Sequence, residues 1–275
     1  MEIAAASGFA GGFALGSRLI HGVGGTLEDV RILMESVAYL EDPAEYAKAY
    51  ARLPRFRQEK ADSLLFEHDR RLSVGAWLLL ERAFMLEGLD LGVYAIGHSG
   101  WGKPHAVGSP LRFSISHSGE YAMCAVSRAG EVGCDIQRID AYDGGLARAC
   151  MMSCEVSAIE ASSCCGERAL RFCRHWVAKE SYIKALGCGL AKAPASFAVG
   201  LRDIGESDSG CNPKNRGAIG EALVFDGGQA DRANIFEARA PEGYCAAVCV
   251  LARGPLFQVD AQASSAAAGK DLECF

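Results

Sequence analysis

At 275 residues, half of them hydrophobic and 23% charged, the chain has ordinary globular composition and suits one large domain or two small ones. Its net charge of −6 lacks the strongly basic balance that marks a nucleic-acid surface, and no apolar run is long enough to span a bilayer. The twelve cysteines include no C-x-x-C pair, so a zinc site lacks suitable ligand spacing; they read as reduced thiols used as small hydrophobes in a cytoplasmic chain. Met1-Glu2 supplies no basic start, and Arg18 and His21 break the Gly/Ala-rich stretch that follows, so no secretory leader is expected.

In chain order, the first 26 residues carry little pattern beyond an opening strand and a loop. Leu27, Val30, Leu33, Met34, Val37 and Leu40 have helical spacing and predict a helix over 27–40. Pro43 and Pro54 punctuate the next stretch, and Arg52, Arg55, Arg57, Lys60, Arg70 and Arg71 make it locally basic. A second helix is predicted over 72–86. Trp101-Gly102-Lys103-Pro104 reads as a turn. From Leu111 to His117 apolar and polar residues alternate, with Phe113 and Ile115 on one face and Ser114 and Ser116 on the other, so this is a strand. Ser118-Gly119-Glu120 turns the chain into a more buried strand over 121–126, and 131–136 is a third. A helical stretch over 145–160 and a stronger helix over 168–186 follow, the latter stopped by Gly187 and Gly189. The remainder reads as strands near 197–199, 222–225, 235–238 and 244–251, and residues 261–275 as a flexible tail.

One pattern repeats. Phe113 precedes Tyr121 by eight residues, and Tyr121 opens an apolar run; Phe236 precedes Tyr244 by eight, and Tyr244 opens another. Two unrelated hairpins would look like this, and so would a duplicated half-domain.

The residues with chemical promise are acidic and basic. Trp176, Glu180 and Lys184 are spaced i, i+4, i+8 and share one helix face. Alone, a Glu–Lys pair of this spacing is an ordinary surface ion pair. Asp135 stands in an otherwise apolar strand, where a carboxylate is costly without a partner. Together, a strand carboxylate and a helix carboxylate suit magnesium, which is held by one or two carboxylates with phosphate oxygens and water completing the octahedron. A neighbouring lysine would then stabilise a departing phosphate.

Gly133-Cys134-Asp135, followed by Trp176-Val177-Ala178-Lys179-Glu180-Ser181-Tyr182-Ile183-Lys184, resembles the paired signature of the 4′-phosphopantetheinyl transferases, in particular their larger, monomeric, surfactin-synthetase-activating type. Phe113 to Gly119, Trp101-Gly102-Lys103-Pro104, and Gly187-Cys188-Gly189-Leu190 with Ser196-Phe197 resemble further motifs of that family. The likeness runs from about residue 54 to residue 251. It implies an α/β (α+β) fold of two pseudo-twofold-related halves, each a small, mainly antiparallel sheet packed by helices, with coenzyme A in the cleft between them. The expected division is 1–131 for nucleotide binding and 132–260 for the metal and catalytic helix.

The resemblance implies transfer of 4′-phosphopantetheine from coenzyme A to a serine of an apo acyl or peptidyl carrier protein, with Mg2+, releasing 3′,5′-ADP. It implies a monomer with no nucleic-acid or membrane partner. Asp135 and Glu180 would bind the metal, and Glu180, directly or through a water, would help deprotonate the carrier serine. Lys184 would stabilise the leaving nucleotide. Arg57, Lys60, Ser73, Lys103, Pro104, Ser116, His117 and Lys179 would line the nucleotide site. Many bacterial members carry a third acid two residues after the aspartate; here Gln137 stands there, a poorer magnesium ligand, so that either it or a water would fill that metal position. Met151-Met152-Ser153 with Glu155 resembles the helix near the carrier-docking surface, with Arg148 as a possible contributor. The competing class is a module that binds coenzyme A or a carrier protein without chemistry; it would not need Asp135, Glu180 and Lys184 together.

Overall fold

The computed structural model describes residues 18–19, 30–201, 221–226 and 229–252. The opening strand and the tail beyond residue 260 therefore fall outside the described residues, apart from a short β1 (Arg18–Leu19).

The stretch expected to be a helix over 27–40 is instead a strand, β2 (Val30–Ser36), running into a 3-10 turn at Ala38–Glu41. Both faces of β2 are covered, which is why its apolar residues do not alternate. Val30, Ile32 and Met34 join the layer between two sheets, while Leu33 faces a helix. Arg31 and Glu35 on that second face pair with Glu87 and Arg82. Apolar residues at 30, 33, 34, 37 and 40 thus imitate a helical period for reasons of burial.

The two prolines start helices. Pro43 is the first residue of α1 (Pro43–Arg52), capped by the Asp42 side chain, and Pro54 is the N-cap of α2 (Arg55–Asp62). The long α3 (Glu67–Leu86) begins five residues before the predicted boundary. A small hairpin, β3 (Ile96–His98) and β4 (Pro104–Ala106), carries the 99–103 turn at its tip. Then come β5 (Arg112–Ser118), β6 (Tyr121–Ser127) and β7 (Gly130–Arg138), close to prediction. The helical stretch over 145–160 is two helices, α4 (Gly144–Cys150) and α5 (Ser153–Glu160). Asp143 caps the first, and Glu155 reaches back to the Met152 amide to start the second. The catalytic candidate α6 (Cys165–Leu186) ends at Gly187, whose φ of +69° closes it in the left-handed region. The strands β8 (Ala198–Leu201), β9 (Glu221–Asp226), β10 (Gln229–Glu237) and β11 (Tyr244–Ala252) complete the chain.

One sheet runs β1-β2-β6-β5 and the other β7-β11-β10-β9-β8, with antiparallel pairing throughout. α3 packs on the first and α6 on the second, so the layers read helix, sheet, sheet, helix. The layer between the sheets holds Val30, Met34, Met123, Ala125, Val132, Cys134, Ile136 and Val248.

The halves repeat. β2-β6-β5 with α3 matches β7-β11-β10 with α6, and the hydrogen bond that the Val37 amide donates to the Glu120 carbonyl oxygen is echoed by that from Ile139 to Gly243. Tyr121 and Tyr244 meet edge to face, ring centroids 5.0 Å apart. The Tyr244 hydroxyl accepts from the Glu120 amide, in a space that a side chain at Gly119 would fill (2.2 Å from a Cβ there). The phenylalanines of the repeat part company. Phe113 pairs with Val126, five residues beyond Tyr121, but Phe236 pairs with Val248, only four beyond Tyr244. The second turn is longer by one residue, and a one-residue shift sends a strand residue to the opposite face. Phe113 accordingly packs under α3, while Phe236 enters the layer between the sheets.

Of the ten cysteines among the described residues, all are free thiols and five are buried. Burial pushes the Cys134 thiol up to about 11.

Candidate active site

The site begins with a glycine. On β7, Gly133, Asp135 and Gln137 share the face toward α6. A Cβ at Gly133 would lie 2.0 Å from the Ser181 carbonyl oxygen and 2.3 Å from the Ala185 amide. Only glycine lets the helix backbone press this close. That approach brings the α6 face carrying Glu180 and Lys184 over Asp135, two residues along the strand.

Asp135 is 5% exposed. Its Oδ1 accepts from the Ser116 hydroxyl at 2.7 Å and from the Lys184 ammonium at 2.7 Å, and Lys184 also donates to Ser116 at 2.9 Å. Oδ2 is buried and has no hydrogen-bond partner. An orphaned carboxylate oxygen is costly unless something else binds it. Burial opposes the charge on Lys184, yet Asp135, with Cys134 and Glu180, outweighs it and raises the ammonium's pKa. For Glu180, burial and then the nearby Asp135 charge raise the pKa, only partly offset by Lys184.

Two carboxylates, one with a free oxygen and one whose charge is disfavoured by its neighbour, fit a hard divalent cation. Among the described residues no group of three or more His, Cys, Asp or Glu is gathered, so the acidic set is a pair. Gln137 is half-buried on the same strand face, its amide donating to the Arg138 carbonyl oxygen at 3.3 Å.

The N-terminal half contributes a cationic corner. Arg57 of α2 donates to the Ser73 hydroxyl at 2.9 Å and to its carbonyl oxygen at 3.2 Å, and its guanidinium lies 5.1 Å from the Trp77 ring centroid. Its Nε is buried without a partner, and burial lowers its pKa. Lys60 stands one turn on along α2. His117 leaves the end of β5 toward this corner; crowding by surrounding protein, and then the Lys184 charge, lower its pKa, against Asp69 and Asp135. His117 thus feels the charges of both Lys184 and Arg57, each of which lowers its pKa.

Two lysines go elsewhere. Lys179 was expected at the nucleotide, but it is fully buried on another face of α6, paired with Glu155 at 2.8 Å. It also donates to the carbonyl oxygens of Pro194 and Phe197 and lies over the Phe197 ring. Glu155 in turn accepts from the amides of Met152 and Val199. This network ties α5, α6 and the start of β8 together. It makes Glu155 structural, and Met151, at 3% exposure, is core rather than docking surface. Arg148 is exposed and pairs with Glu160.

Lys103 donates to Glu131 at 2.8 Å and to the carbonyl oxygens of Val132 and Ala185 at 3.0 and 3.1 Å. All three ammonium hydrogens are taken by protein acceptors, so Lys103 ties the β3–β4 tip to the end of α6 and is not free for a phosphate. Pro104 begins β4 beside it and lines, with Ser99, His105, Phe113 and Gly187, a pocket of about 260 Å³.

Sequence reasoning missed how the sheets are joined. Ser114, Ser116 and Ser118 of β5 accept from the amides of Cys134, Ile136 and Arg138 of β7, at 3.1, 3.4 and 3.0 Å. Three hydroxyls thus stand in for a strand's carbonyls. The alternation of serines was visible; what lay opposite them was not.

At the seam between two similar α/β halves the structure thus gathers two carboxylates, Asp135 and Glu180, and the Lys184 ammonium. Comparison with known proteins makes that specific. The 4′-phosphopantetheinyl transferase superfamily model matches residues 131–249. A 4′-phosphopantetheinyl transferase of Bacillus subtilis is 30% identical over 172 residues, 61% of this chain and 76% of that protein. The transferase gsp of Aneurinibacillus migulanus is 30% identical over 151 residues, 55% of this chain and 56% of its own length. AcpT of Salmonella typhi is 37% identical over 134 residues, 46% and 66% respectively. The chain belongs to the 4′-phosphopantetheinyl transferase superfamily.

Proposed function

We propose that this chain transfers the 4′-phosphopantetheine arm of coenzyme A to a serine hydroxyl of an apo acyl or peptidyl carrier protein, using Mg2+ held by Asp135 and Glu180. The observation that carries the metal assignment is the buried Asp135 carboxylate, with Oδ1 bound by Ser116 and Lys184 and Oδ2 left without a partner. When bound, magnesium neutralises the pyrophosphate oxygens and makes the phosphorus a better electrophile.

The protein's own groups divide the remaining work. Arg57, Lys60, Ser73 and His117 hold the nucleotide phosphates, which fixes the pyrophosphate against the seam. Glu180, directly or through a water, accepts the proton of the carrier serine as its oxygen bonds to the β-phosphorus; a raised pKa suits a base. Lys184 stabilises the phosphate of the departing 3′,5′-ADP. Gln137 or a water would complete the metal's shell beside the two carboxylates. The chain divides at about residue 131 into a half that binds nucleotide and a half, 132–260, that reacts.

The test mixes the full chain with magnesium, coenzyme A and an apo-carrier protein and follows the carrier by mass spectrometry. The expected result is a gain equal to one phosphopantetheine and the appearance of 3′,5′-ADP. Coenzyme A binding with no mass gain across several acyl and peptidyl carriers would overturn the transferase reading in favour of a binding module.

A further inference from the structure

Ser116 touches more of the site than any other uncharged side chain described, and its hydrogen bonding is fully determined. Its Oγ lies 2.7 Å from Asp135 Oδ1, 2.9 Å from Lys184 Nζ and 3.4 Å from the Ile136 amide nitrogen. An ammonium and a backbone amide can only donate, so they occupy both lone pairs of the hydroxyl. The single hydroxyl proton is left for the carboxylate, which can only accept. The residue is buried, at 6% exposure, and water does not substitute readily for any of the three.

We infer that Ser116 is a positioning residue: its hydroxyl locks the Asp135 carboxylate, so that Oδ2 is the oxygen presented to a divalent cation, and fixes the Lys184 ammonium at the same point. This deepens the proposed function and rests on it. Lys184 alone would leave the carboxylate free to rotate about its Cβ–Cγ bond, because one donor defines a distance and not a plane. Two donors on one oxygen, one anchored in β5 and one in α6, define the plane and leave the other oxygen without a partner. Groups that orient a metal ligand in this way are integral to affinity and activity. The same count removes Ser116 as a donor to a phosphate of coenzyme A, the role implied by the family resemblance, because its only proton is committed.

The serine ladder supplies its own controls. Ser114 and Ser118 make the same bond to β7 that Ser116 makes, their Oγ accepting from the amides of Cys134 and Arg138, and neither is hydrogen-bonded to Asp135 or Lys184. A purely structural role for Ser116 would make the three alike.

The experiment compares Ser116→Ala, Ser116→Thr, Ser114→Ala and Ser118→Ala in the full chain. Mn2+ affinity in the presence of coenzyme A is read from the electron paramagnetic resonance of free Mn2+, and kcat and KM from carrier loading. Ser116→Ala is expected to bind Mn2+ about tenfold more weakly and to lose about as much in kcat, with KM for coenzyme A within about threefold of wild type. Ser114→Ala and Ser118→Ala should stay within about twofold in Mn2+ affinity, and Ser116→Thr should recover most of the loss. If Ser116→Ala does not fold, Ser116→Cys fills the site with a weak donor and carries the same comparison. A Mn2+ affinity for Ser116→Ala equal to that of Ser114→Ala would overturn the inference alone. So would a rise in KM for coenzyme A at unchanged kcat, the mark of a lost substrate contact. A wild type that neither binds Mn2+ nor loads a carrier would overturn the proposed function, and this inference with it.

Discussion

The two halves of the molecule follow one plan but use one equivalent strand position differently. Leu33 of β2 lies three residues before Ser36, which pairs with Tyr121; Asp135 of β7 lies three residues before Arg138, which pairs with Tyr244. Each is 5% exposed and each faces the helix of its own half. In the first half Leu33 packs in an apolar cluster with Leu72, Leu80 and Phe84, with the Glu35–Arg82 ion pair beside it. In the second the equivalent place holds a carboxylate with an unsatisfied oxygen, a lysine and a glycine. Under the proposed function the same scaffold serves packing in one half and chemistry in the other, and chemistry requires giving up packing at that point.

The sharpest way to break the comparison is to make the second half resemble the first. Asp135→Leu combined with Lys184→Met should abolish carrier loading while stabilising the fold by about 1–4 kcal/mol, since apolar replacement of a buried ion pair removes its desolvation penalty. A denaturant melt and the carrier-mass assay check both parts, and a destabilised double variant would show that Asp135 and Lys184 support the fold.

The second lysine of α6 should behave in the opposite way. Lys179→Met leaves Glu155 buried without its cation, at an expected cost of about 3–5 kcal/mol of stability. A melting curve within 1 kcal/mol of wild type, by the same buried-pair reasoning, would contradict the structural role assigned to the pair.

A subtler difference concerns Glu180. Burial and Asp135 raise its pKa, so the unfolded chain releases this proton at lower pH than the folded one. In metal-free protein the charge therefore disfavours the fold above the raised pKa and has no effect below the ordinary carboxylate range. Relative to Glu180→Gln, wild type should lose stability as pH rises through that window. Urea melts in a chelator across pH 4–8 would show it, and parallel profiles would argue against close approach of the two carboxylates.

The smallest effect is expected at the third metal position. Gln137→Glu should keep transfer and shift the magnesium titration by about tenfold or less. A folded but inactive variant would place Gln137 in a different role.

Much of this was legible in the sequence, and the gaps have physical reasons. The alternation in 111–117, the glycine that ends α6 and the i, i+4, i+8 spacing of Trp176, Glu180 and Lys184 are local properties, and the structure has each as read. β2 was misread because burial on two faces removes the period of two that identifies a strand. The partners of Lys179 and Lys103 lie 24 and 28 residues away, at Glu155 and Glu131, and no local pattern announces them. Motif likeness put both lysines at the nucleotide, yet only three-dimensional packing decides which side of α6 a lysine occupies. The tyrosine repeat, equally compatible with two plain hairpins, proved to mark the meeting point of the halves, while its phenylalanines diverged over one turn residue.

The central claim is that the first half binds and the second reacts, and steady-state kinetics of Arg57→Ala and Asp135→Ala with varied coenzyme A and a fixed carrier tests it most directly. Arg57→Ala should raise KM for coenzyme A about tenfold and leave kcat within about threefold, whereas Asp135→Ala should lower kcat by about a hundredfold or more. The reverse pattern, with kcat lost at Arg57 and only KM changed at Asp135, would contradict the account.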